Sequence, residues 1–246
     1  MQFLIERLPL YLDGAWVTIQ LTIGGCALAF VLAMAFGVLG SMKHWLPRAV
    51  ATVYVEVFRG IAALVLMFWM AYALPLATGF QLNDVFAAIL AVGLNVGAYG
   101  AEVVRAAINA VPKAQIEGTV ALNMSWFQRT RLVVVPQAWA QMLPTFGNLV
   151  IELMKATAVA YLIGVTDLTA VADQMREATG ETIAAFSGAL ILYYVIAQVL
   201  IFGMRLLERR ANRKLGRTPS NGNGNGKGLS IRLRNPAVGG AGGAST

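Results

Sequence analysis

Charge is scarce in this sequence. Only 13% of its 246 residues are charged, about half the fraction usual in a soluble domain. Cysteine occurs once, as Cys26 inside an apolar block, where nothing can pair with it and a small core role is expected. No Gly-rich Lys-Ser/Thr run capable of cradling phosphates is present, so ATP hydrolysis by this chain is not expected. Neither a metal cluster nor an acid–base pair in a soluble pocket can be found, so no catalytic residue and no metal ligand is assigned. The first twelve residues, MQFLIERLPLYL, lack a basic start. The apolar block after them is too long for a signal core, so a cleavable signal is not expected.

What the sequence has instead is apolar length. Hydrophobic residues make up 58% of the chain, and residues 14–42, 60–83 and 182–204 each contain no charge. Each block can cross a hydrocarbon core of roughly 30 Å as a helix. The fold class expected is therefore all-α and integral to a membrane, with five spanning helices at about 15–39, 50–74, 85–107, 144–165 and 182–204. Pro75 is read as the stop of the second and Pro144 as the start of the fourth. Residues 41–49 then form a link, and TDLTAVADQMREATG at 166–180 a short extracytoplasmic element. Gly24, Gly25 and Gly37 in the first helix allow close helix contact, and Gly93, Gly97 and Gly100 lie near Asn95 in the third.

The formal charge of +7 does not point to nucleic acid. Basic residues cluster at the ends of apolar blocks, and aromatics are not interleaved with them in any polar module. Lys43, Arg48, Arg105, Lys113, Arg129, Arg131, Arg205, Arg209, Arg210, Arg213 and Lys214 fall on one side of the five crossings. That bias puts the N-terminus outside, the C-terminus in the cytoplasm, and residues 108–143 inside. Residues 216–246, rich in Gly, Asn and Ser, read as a disordered cytoplasmic tail.

The segment 108–143 is long for a plain turn. Ile116, Val120 and Ala121 recur at helical spacing after Pro112. Asn123 suits a sharp change of direction, because Asn tolerates positive φ, and Ser125 suits an N-cap for WFQRTRLVVV. Two short helices joined by a bend are expected, presenting Glu117 to the cytosol as a docking element. Within the spans, Glu56 and Arg59 stand three apart and are placed to pair, as are Glu152 and Lys155. Asn95 can either contact solute or lock neighbouring helices.

These residues resemble a known family. Glu117, Asn123, Val133, Val135 and Pro136 match the cytoplasmic signature of ABC importer permeases. YLDGAWVTIQLT at 11–22, YVEVFRG at 54–60, GAYGAEVVRAAINAVPKAQIE at 97–117 and LPTFGNLVIELMKAT at 143–157 look like its polar amino-acid uptake branch. The chain departs from the family's pattern at Gly118-Thr119, where Ala-Ala is usual, at Asn123 (usually Gly), at Ile61-Ala62 (usually Thr-Pro) and at Lys155-Ala156-Thr157-Ala158 (usually Lys-Asp-Thr-Ser).

The resemblance implies a type I ABC importer transmembrane domain over residues 10–210. It also implies a second permease subunit, identical or similar, two ATP-binding subunits that use ATP and Mg2+, and an extracytoplasmic solute-binding protein. Lys113, Glu117, Gly118, Ala121, Asn123 and Pro136 would then couple to the ATPase. Glu56, Arg59, Asn95, Glu152, Lys155 and Thr157 are the candidate translocation residues. ALNMSWFQRTR with NLVIELMKATA looks most like permeases for ectoine and hydroxyectoine, with a general polar amino acid the alternative solute. A secondary transporter and a membrane scaffold subunit are the rival classes.

Overall fold

The computed structural model describes residues 7–214; the tail expected at 216–246 lies outside them. Among the described residues every regular element is helical. They are α1 (Leu8–Ser41), α2 (Trp45–Gly60), α3 (Ala63–Phe68), α4 (Leu74–Thr78), α5 (Asp84–Asn109), α6 (Lys113–Ala121), α7 (Trp126–Arg129), α8 (Val135–Thr157), α9 (Leu168–Thr179) and α10 (Thr182–Lys214), with π turns at Trp69–Ala73 and Thr130–Val134 and a 3-10 turn at Ala160–Ile163.

Helices α1 and α5 form the centre and run parallel. A Cβ built on Gly37 would lie 2.4 Å from Val104 Cβ, and one on Gly100 would lie 2.7 Å from Ala33 Cβ. No side chain larger than hydrogen fits at either position, so the two backbones meet almost directly. Gly25, Ala29, Ala33 and Gly37 recur every fourth residue along the buried face of α1. In a bilayer, where lipid solvates apolar side chains as well as a neighbouring helix does, such close backbone contact drives association.

The other helices pack around this pair. α2 returns along α1, with the rings of Phe36 and Tyr54 stacked 4.0 Å apart. Helix α8 starts beside the end of α5 and passes Phe146 near Gly100 and Leu153 near Gly25. Helix α9 seals the opposite end. Its Leu168, Val171, Ala172 and Met175 are buried against Tyr11, Ala15, Ala185 and Ala189.

The expected spans and links are corrected in four places. The second is a bent pair, Trp45–Gly60 and Ala63–Thr78, at 99° to each other. Most of the expected link at 41–49 is already helix, since α2 starts at Trp45. Pro75 does not stop the pair, which runs to Thr78 and ends on Gly79 at φ 73°. The fourth helix runs from Val135 to Thr157, with Pro144 inside it, so 135–143 belongs to α8 rather than to a loop.

Both Pro75 and Pro136 follow a π turn, closed by Leu74 N–H to Trp69 O and by Val135 N–H to Thr130 O. Each turn shifts the hydrogen-bond register just before the residue that lacks a donor, and the helix absorbs the proline. Three single helices are long and apolar enough to cross a membrane, and the bent pair makes a fourth. Helix α8, expected as the fourth span, runs through the bundle but is not among them.

Candidate functional site: a polar groove and an elbow

A groove with polar walls lies where the end of α2, α5 and α8 meet. A cavity of about 540 Å³ is lined there by Arg59, Tyr99, Glu102, Gln141, Thr145 and Leu149, among others. Arg59 comes from the last turn of α2, Tyr99 and Glu102 from one face of α5, and Gln141, Thr145 and Leu149 from successive turns of α8. The guanidinium of Arg59 sits 5.1 Å from the centroid of the Tyr99 ring, close enough for a cation–π attraction. Glu102 is held by Arg105 through two hydrogen bonds, one of them from Nε to Oε2 at 3.0 Å. Its charge is therefore largely matched, whereas Arg59 has no carboxylate partner among the described residues. Arg59 thus stands in the groove without a contact ion pair, with Glu102 on the same wall within electrostatic reach.

Glu102 also lines a second, smaller cavity of about 220 Å³, together with Arg48, Thr52, Glu56 and Arg105. A third cavity, of about 320 Å³, is apolar and lies between α1, α8 and α10, against Cys26, Phe30, Trp139 and Met204.

Two expected ion pairs do not form. Glu56 and Arg59 remain apart: Arg59 is taken by the Tyr99 ring, and Glu56 faces the smaller cavity. Glu152 and Lys155 are both exposed on α8 and unpaired. An exposed pair three apart gains only about 0.2–0.5 kcal/mol, which does not fix two flexible side chains. By helical spacing Glu152 stands on the face that carries Gln141, Thr145 and Leu149, about one turn further along.

Thr157 is buried, its hydroxyl donating to Met154 O at 2.7 Å, and it lines neither polar cavity. Asn95 is buried as well and donates from Nδ2 to the carbonyls of Phe58 and Ile61 at 2.8 and 2.9 Å. Tyr99, Glu102, Gln141 and Thr145 were not singled out from the sequence. Glu102 was the legible one, since an acidic residue three before an Arg inside an apolar span signals function by default.

At one end of the bundle, α6 and α7 form the elbow between α5 and α8. Its turn is specified residue by residue. Met124 N–H bonds to Thr119 O at 3.0 Å and Asn123 N–H to Val120 O at 2.9 Å, the 6→1 and 5→2 bonds of a Schellman cap. Asn123 adopts φ 57° and is the only described non-glycine residue with positive φ. Ser125 N–H donates to Gln128 Oε1 at 2.9 Å, and Gln128 N–H to Ser125 Oγ at 3.3 Å, a capping box that starts α7. Lys113, Glu117, Gly118 and Ala121 are exposed along α6. Gln115 accepts from Gln137 at the start of α8, tying the elbow to the bundle, and Pro136 is half-buried beside it.

Comparison with known proteins follows this geometry closely. Residues 25–213 match the family of binding-protein-dependent transport system inner membrane components. The probable amino-acid ABC transporter permease protein y4tF of Sinorhizobium fredii is 41% identical over 208 residues, covering 82% of this chain and 87% of the relative. The glutamine transport system permease protein GlnP of Escherichia coli is 32% identical over 204 residues, covering 82% and 93%. Among solved structures, that of an amino acid ABC transporter with histidines superposes with a TM-score of 0.77 at 28% identity, covering 84% of this chain and 96% of the other. The chain belongs to this family of permease components and has the fold of a type I ABC importer transmembrane domain.

Proposed function

We propose that this permease admits a polar amino acid or a related zwitterion across the cytoplasmic membrane, in a binding-protein-dependent importer whose ATP hydrolysis, with Mg2+, occurs on separate subunits. The observation that carries the reading is the groove itself: polar side chains from α2, α5 and α8 gathered within a largely apolar bundle, with the Arg59 guanidinium over the Tyr99 ring and in no contact ion pair among the described residues. Such a cation fits a carboxylate, the group that every amino acid presents. Glu152, one turn beyond the groove on α8, is placed for the ammonium. The amino-acid permeases among the relatives support the same class of solute. Ectoine also carries a carboxylate, but nothing among those relatives favours it over an amino acid.

The elbow is the contact with the ATP-binding subunits, with Lys113, Glu117, Gly118 and Ala121 exposed for docking and Asn123 and Pro136 setting its shape. The assembly comprises two permease subunits, identical or similar, two ATP-binding subunits and an extracytoplasmic binding protein. The concentration of basic residues toward the elbow end supports an orientation with that end in the cytoplasm and the N-terminus outside. Nucleotide can drive transport only if the elbow is held differently in the two states, since equal binding would shift nothing.

The test is reconstitution with these partners, reading solute-stimulated ATP hydrolysis and uptake across polar amino acids, ectoine and hydroxyectoine. Stimulation by a polar amino acid is expected, and stimulation by ectoines alone would replace the solute. Uptake by the chain alone on an ion gradient would overturn the function. Replacing Arg59 by Gln should lower uptake roughly 30-fold or more, the effect of removing one partner of a close charge contact, in a complex that still assembles.

A further inference from the structure

Helix α2 stops in the middle of the bundle without a proline. Ile61 and Ala62 adopt extended backbone, at φ −101°, ψ 132° and φ −64°, ψ 136°. Gly60 weakens the helix there by about 1 kcal/mol, but it shows no positive φ and does not by itself fix an extended pair. A break also strips carbonyls of their helical partners, and a bare carbonyl is costly wherever water does not reach it.

The missing partners come from α5. Asn95 uses Nδ2 for two of these carbonyls, Phe58 and Ile61, and its side chain is only 8% exposed. Tyr99 reaches the carbonyl of Arg59 with a long contact of 3.5 Å. In return Tyr54, about two turns before the break, donates to Leu94 O at 2.9 Å. The break is thus stitched from both sides to a single stretch of α5, and the residue beside it, Arg59, is laid over the Tyr99 ring.

We infer that Asn95 is a positioning residue: by giving Nδ2 to Phe58 O and Ile61 O it holds α2 open at Ile61 and Ala62, and so fixes Arg59 over Tyr99 in the groove. The service of Arg59 to the solute rests on the function proposed above; the hold on the break does not. Removing the amide leaves the break as bare carbonyls, which favours continuation of the helix through residues 61 and 62. Continuation adds a rotation of about 100° per residue to everything beyond Gly60, so that α3 can keep its packing on α5 only if the last turn of α2 is displaced and Arg59 leaves its ring.

The experiment uses Asn95→Ala, Ala62→Pro and the two combined, in a Cys26→Ser background within the assembled complex. Proline suits position 62, whose φ is already −64° and whose predecessor is already extended. It therefore enforces the break locally, without Asn95. Spin labels at Val57 and Leu76, both exposed, report the angle by pulsed electron resonance, and uptake kinetics are read in parallel.

In Asn95→Ala the label distance should lengthen, and KM for the solute should rise about tenfold, equivalent to about 1.4 kcal/mol, with a smaller change in maximal rate. Adding Ala62→Pro should restore both distance and KM, which general damage to packing would not allow. An unchanged distance in Asn95→Ala would overturn the inference, as would failure of Ala62→Pro to restore the distance in a complex that assembles. A distance that changes and recovers while KM stays constant would leave the hold on the break standing and remove Arg59 from solute binding.

Discussion

At the scale of single residues, the local backbone rules were readable and the partners of charges were not. Asn123 and Ser125 do what their chemistry dictates within a few residues of themselves. Arg59 instead finds an aromatic ring 40 positions away in sequence, which no spacing of charges reveals. Asp167 is another case. It is fully buried between α8 and α9, where Oδ1 caps α9 through Ala170 N–H at 2.9 Å and Oδ2 accepts from Tyr193 at 3.0 Å. Burial raises its pKa despite these hydrogen bonds. The folded chain therefore keeps this proton to higher pH than the unfolded chain does, and stability falls as pH rises between the two values. Asp167→Asn keeps a capping oxygen and should flatten that pH dependence at little cost to the melting temperature. Asp167→Ala should cost about 1–2 kcal/mol, read as a lower melting temperature in detergent.

At the scale of elements, helices α1 and α10 were legible because uninterrupted apolar length is a strong signal, and α5 because its charges stand only toward its ends. Prolines misled where they were read as limits of spans, at Pro75 and Pro144, whereas Pro112 does stand between α5 and α6. Inside a bundle a π turn or a neighbouring helix compensates the lost donor, so Pro75 and Pro144 sit within helices. The real interruption, at Ile61 and Ala62, was invisible because its cause lies on another helix. The elbow is the element most completely written in its own sequence, and its shape can be tested directly. Asn123→Gly should leave it intact, since glycine accepts φ near 57° without penalty. Asn123→Val should cost about 1–2 kcal/mol locally and lower solute-stimulated ATP hydrolysis, and Glu117→Arg on the exposed face of α6 should lower it too, with membrane insertion retained in all three.

At the scale of the whole molecule, the all-helical membrane fold and the family were legible from composition and from motifs spread along the chain. The groove was only half legible, since Arg59 was named and Tyr99, Glu102, Gln141 and Thr145 were not. Those four become a site only when α2, α5 and α8 converge. The convergence depends on the central pair, where Gly100 meets Ala33 with no room for another methyl. Gly100→Val should therefore separate α1 from α5 and reduce the yield of folded complex on size-exclusion chromatography, whereas Gly203→Ala, with nothing within 4 Å, should not.

Because α1 and α5 touch backbone to backbone, little compressible material lies between them. The near end of the pair bears the root of the elbow. At the far end Thr18 accepts the Leu168 N–H bond at the head of α9. A push received at the elbow would thus pass along a stiff rod to the cap at the other end, without any relay of side-chain rearrangements. Amide exchange in Leu168–Thr179 should then register nucleotide occupancy on the far side of the bilayer.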